Sequence, residues 1–91
     1  MTRLEKRMVE KNLDLTFEFE KYVLDHPDLA DRIPRNAVVS VCLEGDDKFN
    51  RWSRRLVEKQ RKGRQPVFSA TIRKMRPVRS RIEELRVERA A

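Results

Sequence analysis

Three carboxylates stand close together near the middle of the chain, at Glu44, Asp46 and Asp47. Carboxylate oxygens suit Mg²⁺, a hard cation, and ligands of open α/β sheets bind at the carboxyl ends of strands. The same residue types also cap helices and complement the helix dipole. No second acidic cluster stands beside them, whereas a two-metal nuclease-like site needs more ligands. We therefore expect a capping role, with no metal and no cofactor.

The chain has one histidine, His26, and one cysteine, Cys42. One residue of each type supplies neither a zinc ligand set nor a plausible Cys–His pair, and a lone cysteine excludes an internal disulfide. We expect His26, which precedes Pro27, to be a cap or surface residue and Cys42 to lie in the core. The sequence also has no glycine-rich phosphate loop. Together these features predict that the chain is not an enzyme.

The net charge of +7 is concentrated in one segment, residues 51–81, here called the basic block. It carries 12 basic residues and one acidic residue, whereas residues 1–50 carry 8 and 11. Phosphate contacts need cations rather than a fixed motif, so this asymmetry predicts a polyanionic partner. We expect DNA or RNA, with an acidic protein or a plain solvated surface as alternatives. The signatures of helix-turn-helix and zinc-finger proteins, and an exposed aromatic platform, are missing. The candidate contacts are Arg51, Arg54, Arg55, Arg61, Lys62, Arg64, Lys74, Arg76, Arg79 and Arg81.

These residues must be positioned by the elements that the apolar pattern predicts, beginning with a helix over residues 3–25. At about 100° per residue, Leu15, Phe19 and Tyr22 fall on one face of that helix. The stretch 13–19 also alternates with period two, as a strand would. We choose the helix because the longer period continues beyond this stretch, although the first ten residues could fray.

A second apolar face lies nearly opposite the first on this helix and consists of Leu13, Phe17 and Leu24. A helix that is apolar on two sides must be covered on two sides. A short helical turn at residues 27–34 could fold over this face; otherwise the face is an exposed patch of the kind that marks interfaces. We expect a homodimer through these three residues. The alternative function is therefore a protein–protein interaction module, or one half of a toxin–antitoxin-like pair.

A β-α-β unit is predicted for the middle of the chain. Residues 37–43 form an apolar, β-branched run that indicates a strand buried on both faces. Residues 47–62 are the clearest helix, with Trp52 on its apolar face and Gly63 expected to end it. Residues 67–75 follow as a second strand, and the crossover between the strands should be right-handed.

The C-terminal residues 80–91 carry two conflicting patterns. Ser80 and Glu83 have the spacing of a helix capping box, whereas Leu85 and Val87 alternate with charged residues, as in a strand. We choose a strand that pairs antiparallel near the sheet edge. The expected fold class is therefore α/β (α+β), a small layered sheet in one domain over residues 1–91.

The apolar runs are short, which bears on where the protein works. The longest run, residues 37–43, is far below the roughly 20 residues that span a bilayer. The first residues lack the apolar core of a signal peptide, and the lone cysteine suits a reducing compartment. We therefore expect a cytoplasmic protein that has no membrane partner.

Five stretches of this sequence resemble a small prokaryotic family known only as a domain of unknown function. They are Glu10–Glu20, Asp25–Leu29, Ile33–Pro34, Ala37–Val39 and Ser80–Leu85. The resemblance covers most of the chain and implies one compact α/β domain. It implies no established activity and provides no functional residues to transfer.

Overall fold

The computed structural model describes residues 1–89 as a mixed α/β fold. The elements follow the order α1 (Arg3–Asp25), α2 (Pro27–Ala30), β1 (Val38–Leu43), α3 (Asp47–Gln60) and β2 (Val67–Ile72). This order confirms the predicted fold class and its β-α-β unit. The main difference in strand bounds is at β2, which ends three residues earlier than the pattern predicts.

Helix α1 begins with a complete capping box. The Thr2 hydroxyl accepts a hydrogen bond from the Glu5 N–H (3.1 Å), and the Glu5 carboxylate accepts one from the Thr2 N–H (3.4 Å). These bonds satisfy two of the donors that a helix start leaves free. The helix therefore begins at Arg3, and fraying of the first ten residues stays a prediction.

The core forms where α1, α3 and the sheet meet. Leu15, Val41 and Phe49 are its buried centre. Leu15 comes from the face of α1 that the helical period selects, and Phe19 packs beside it. In a strand, Leu13 and Leu15 would lie on the same face, but here Leu15 is buried and Leu13 is exposed. The helical interpretation of residues 13–19 is therefore confirmed.

The sheet has two parallel strands in a register that runs from Val38 opposite Val67 to Leu43 opposite Ile72. Helix α3 provides the crossover that parallel strands require. The Val38 N–H donates to Pro66 O (2.8 Å), and one residue beyond β1 the Glu44 N–H donates to Ile72 O (2.9 Å). The even-numbered residues of β1 therefore bond to β2, and the odd-numbered residues turn their peptide groups to the opposite edge.

Helix α3 occupies that opposite edge of β1 with two polar side chains. The Asn50 amide accepts from the Leu43 N–H and donates to the Leu43 carbonyl, both at 2.8 Å. The Ser53 hydroxyl donates to the Val41 carbonyl at 2.9 Å. Both side chains are buried, where an unbonded polar group costs about 1–3 kcal/mol. These bonds fix which face of α3 points inward.

The end of α3 differs from the expected one. The helix ends at Gln60, with Arg61 as an extended C-cap residue. Gly63, which was expected to end the helix, instead has a φ of +60° in the following turn, where the Gln65 N–H donates to the Lys62 carbonyl at 3.2 Å. The glycine is needed for this turn because other residues rarely adopt a positive φ.

The predicted C-terminal strand is not formed, since residues 73–89 are neither helix nor strand. The Ser80 hydroxyl accepts from the Ile82 N–H (3.2 Å), which is a local turn contact rather than a helix cap. This segment is exposed throughout. The radius of gyration is accordingly 17.8 Å, against about 12 Å for a compact chain of this length. Among the described residues, the outer edge of β2 has no strand beside it.

Asp46 joins the two long helices. Its carboxylate caps α3 by accepting from the Phe49 N–H (3.2 Å) and also pairs with the Lys11 ammonium of α1. The hydrogen bond from Lys11 and then the one from Phe49 hold the pKa of Asp46 below its ordinary value. The expected capping role is therefore confirmed for this residue.

No helix in the described part of the chain is long and apolar enough to cross a membrane.

Two leucines of α1 provide a matched test of its packing. We expect Leu15→Ala to lower the free energy of unfolding by about 2–5 kcal/mol, because it leaves a cavity in the core. Leu13→Ala, two residues away and 52% exposed, should change it by less than about 0.5 kcal/mol. Urea unfolding in dilute solution measures both values. Equal losses would contradict the described orientation of α1.

The Asp46 contacts predict how stability depends on pH. A carboxyl group whose pKa is lowered by folding stabilises the protein above its unfolded pKa, and this contribution is lost as pH falls through the folded value. We expect the loss to begin near the unfolded value of about 3.9 and to continue below it.

The variant Asp46→Asn should flatten this part of the pH profile, since asparagine also caps helices but carries no charge. Asp46→Ala should lower stability across the whole pH range, because the cap is lost as well. Urea midpoints measured at several acidic pH values distinguish the two effects. An Asp46→Asn profile that parallels the wild type would show that the ion pair contributes nothing.

Candidate nucleic-acid interface

The solvent side of α3 displays three arginines, Arg51, Arg54 and Arg55, here called the basic face. All three are exposed, because the helix turns Phe49 and Ser53 inward. None of the three lies within ion-pair distance of a carboxylate in residues 1–89. Their guanidinium groups are planar forks of hydrogen-bond donors, a geometry that matches phosphate oxygens.

The basic residues that follow the helix differ in how far local contacts engage them. Arg61 is 3.7 Å from the Glu58 carboxylate and also donates to the Gln65 carbonyl at 2.7 Å. Lys62 and Arg64 lie in the turn after α3 and are exposed. The Arg61 side chain, a predicted nucleic-acid contact, is therefore partly engaged in contacts that order this turn.

The remaining predicted contacts lie on the C-terminal segment, beyond β2. Lys74, Arg76, Arg79 and Arg81 are all exposed on residues that form neither helix nor strand. Arg73, next to them, lies 3.6 Å from the Glu44 carboxylate. The structure thus divides the basic block into an ordered group on α3 with its turn and a second group on an extended segment.

Beside the basic face, α1 and α3 enclose an open groove of about 360 Å³, here called the Trp52 groove. Its α3 side carries Trp52 and the cations Lys48, Arg51 and Arg55, and its α1 side carries Leu4, Glu5 and Met8. The sequence prediction placed Trp52 in the core. The side chain does pack against the core cluster, but it is only partly buried and also lines the groove.

Lys48 is the site residue that the sequence reasoning missed. The basic block was drawn from residue 51 onward, so it excluded a lysine three residues earlier. Residues three and seven apart share a helix face, which places Lys48 beside Arg51 and Arg55. The helical spacing of the cations was therefore the signal that could have found it.

A larger open cleft of about 870 Å³ lies between the second half of α1 and residues 70–78. Its lining mixes the carboxylates of Glu18 and Asp25 with cations of both elements. This cleft therefore carries charges of both signs, whereas the Trp52 groove is lined by three cations and one carboxylate.

The acidic residues after β1 do not form a metal site in the structure. Asp46 is taken up by the cap and by Lys11, and Glu44 lies beside Arg73. Within residues 1–89, no group of three or more acidic, histidine or cysteine side chains could hold a metal ion.

The single histidine and the single cysteine have structural roles in the fold. His26 is the residue between α1 and α2. Its Nδ1 atom donates to the Tyr22 carbonyl at 2.7 Å, and its imidazole ring stacks on the Tyr22 ring. Cys42 is a free, buried thiol. Both positions agree with the roles expected from the sequence.

The second apolar face of α1 is largely exposed in the part of the chain that the structure describes. Leu13, Phe17 and Leu24, here called the apolar stripe, are 52%, 61% and 80% exposed. Leu29 and Ile33 are only partly buried, and the short α2 region leaves the stripe open. Residues 27–34 therefore do not cover the stripe, and it forms the exposed patch that the sequence predicts for this case.

Comparison with curated proteins and with solved structures finds no match to this chain. The chain does match one family, described as a family of unknown function (DUF5647), over residues 7–85. Since the match covers most of the chain, this protein belongs to that family.

Proposed function

We propose that this protein is a non-enzymatic nucleic-acid-binding accessory domain that uses the basic face of α3. The observation that carries the proposal is the exposure of Arg51, Arg54 and Arg55, which have no carboxylate partner among residues 1–89. An arginine already paired to a carboxylate must give up that partner to bind phosphate, whereas these three need not. Because Asn50 and Ser53 fix the opposite side of the helix, the three guanidinium groups are presented on an ordered element.

The charge distribution supports a phosphate backbone as the partner. Residues 47–62 hold seven basic side chains and two acidic ones, and Lys62 and Arg64 continue the positive region past the helix end. Binding to phosphates releases condensed counterions, which makes affinity fall as salt rises. A reducing, cytoplasmic location fits this proposal, since the only cysteine is a free buried thiol.

Charge reversal on the basic face tests the proposal. We expect the wild-type protein to bind mixed-sequence DNA and RNA at low salt, with affinity falling steeply as salt rises. The triple variant Arg51→Glu, Arg54→Glu and Arg55→Glu should bind at least about tenfold more weakly, and its salt slope on duplex should fall by about 3. Fluorescence anisotropy at several salt concentrations measures both quantities.

The control keeps the same change in net charge but moves it elsewhere. Arg7, Arg32 and Arg35 are also exposed, and their triple change to glutamate should leave most of the binding intact. If the two triple variants lose affinity equally, the interaction reflects net charge alone. If the wild-type protein does not bind at low salt, the proposed function is wrong.

A second candidate function is self-association through the apolar stripe, with a second copy of this chain as the occupant. The stripe belongs to a segment, residues 10–25, that holds five acidic and two basic side chains. The extended segment 73–89 holds seven basic and three acidic ones, together with exposed Val78, Ile82 and Leu85. The apolar side chains of one copy's extended segment could thus pack on the apolar stripe of another copy. The positive side chains of that segment would then lie near the acidic residues that flank the stripe.

Phe17→Glu tests this second candidate, because it places a charge at the middle of the stripe. We expect a wild-type dimer and a monomeric variant of unchanged helix content, measured by light scattering and circular dichroism. Leu4→Glu, at a similarly exposed position (62%) but beside the Trp52 groove, should leave the dimer intact. A monomeric wild type at high concentration would contradict the candidate.

A further inference from the structure

The Trp52 groove combines two features that nucleic-acid sites use together, positive charge and an aromatic surface. Lys48, Arg51 and Arg55 line it from one helix. Within the described chain, none of these three cations has a carboxylate partner. The one carboxylate in the lining, Glu5, already accepts the Thr2 N–H in the capping box. The groove therefore has a net positive lining in which the cations are available to an anion.

Trp52 is held in place within this lining. It packs beside the buried ring of Phe49, with ring centroids 6.0 Å apart and planes tilted by 31°, and Met8 packs against the same cluster. A tryptophan fixed in this way loses little conformational entropy when a ligand stacks on it. Every nucleobase has a π-face, so such a surface accepts bases with little regard to sequence.

The size of the groove and the exposure of Trp52 bear on which kind of base could stack there. The groove volume of about 360 Å³ lies at the small end of ligand pockets, which span about 300–1,000 Å³. Trp52 is only partly exposed at the groove wall, so a ligand ring must enter the groove to stack on it. Bases inside a duplex are stacked on each other and cannot do so, whereas a base of a single strand can be splayed out.

We infer that the Trp52 groove binds an unpaired base of a single-stranded nucleic acid, with Trp52 stacking on the base. Lys48, Arg51 and Arg55 contact the adjacent phosphates. This inference rests on the proposed function and specifies its ligand class. Arg54, which does not line the groove, contributes only general attraction to phosphates.

Trp52 is the only tryptophan of the chain, so its fluorescence reports on the groove directly. We expect a single-stranded oligothymidine to quench the tryptophan emission in a saturable way and to protect it from acrylamide. A blunt duplex of equal length should bind at least about tenfold more weakly and leave the emission nearly unchanged. A fluorescence titration of the intact protein with both probes measures this difference.

The variant Trp52→Leu keeps an apolar side chain against the core but removes the stacking surface. Stacking contributes about 1–3 kcal/mol per base, so we expect a roughly 5- to 150-fold loss of single-strand affinity. Duplex affinity should stay within about twofold. The matched control Arg54→Glu should weaken single-strand and duplex binding alike, because it alters charge without touching the groove.

A second variant keeps the test valid if Trp52→Leu lowers the melting temperature so far that the chain unfolds. Leu4→Glu places a carboxylate at the groove rim, at a largely exposed position, and should reduce single-strand affinity by about fivefold or more. Thermal melting monitored by circular dichroism checks the fold of each variant.

The outcomes separate this inference from the proposed function. Binding of both probes with no change in tryptophan emission, and with full affinity in the Trp52 and Leu4 variants, would overturn the inference and leave the proposed function standing. Absence of binding to either probe at low salt would overturn both. Saturable quenching that is specific to the single strand, and affinity loss in the variants, would establish the groove as the site.

Discussion

Asn50 and Ser53 hold α3 against the edge of β1, and the arrangement of the other surfaces follows from this contact. Their side chains bond to the peptide groups of Leu43 and Val41 that point away from β2. A further strand would use the same peptide groups, so the sheet cannot extend on that side. A buried polar side chain must keep its partner, which means that α3 cannot rotate without breaking these bonds. The outward direction of the basic face is thus a consequence of the polar residues on the inner face.

The small size of the sheet explains what remains uncovered elsewhere. Two strands of six residues each cannot cover more than one face of α1, which is 23 residues long. The inner face of α1 packs through Leu15, and Lys11 ties it to Asp46 at the start of α3. Its opposite face stays largely exposed at Leu13, Phe17 and Leu24, and the outer edge of β2 has no strand beside it among residues 1–89. The same lack of sheet area therefore leaves both the apolar stripe and the strand edge open.

Periodicity predicted the elements well because it depends on local geometry. The helical period of α1, the buried run of β1 and the cap at Asp46 are each encoded in neighbouring residues. The C-terminal segment shows the limit of this reasoning. Leu85 and Val87 alternate as in a strand, but a strand exists only beside a partner, and alternation does not encode one. The pattern correctly marks apolar residues there, which stay exposed.

The candidate site was only half predictable for a related reason. The cations could be found from composition because each phosphate contact needs only a positive charge. Trp52 was assigned to the core because an apolar face predicts burial. Yet the groove also needs Leu4, Glu5 and Met8 of α1 beside α3, and no local pattern of α3 contains that placement. A residue at the margin of a core has an apolar neighbour on one side and solvent on the other, and a helical period does not distinguish it from a central one.

The two candidate roles use different faces of the same helix and are therefore compatible. Leu4 and Met8 of α1 line the Trp52 groove, whereas Leu13 and Phe17 belong to the nearly opposite stripe. A dimer formed through the stripe would leave both grooves open to solvent. Two linked sites on one nucleic acid can exceed the affinity of a single site by roughly 10²–10⁴-fold when the strand reaches both. A groove with low affinity for a single strand would then give a dimer with high affinity. Self-association would therefore raise the affinity for nucleic acid.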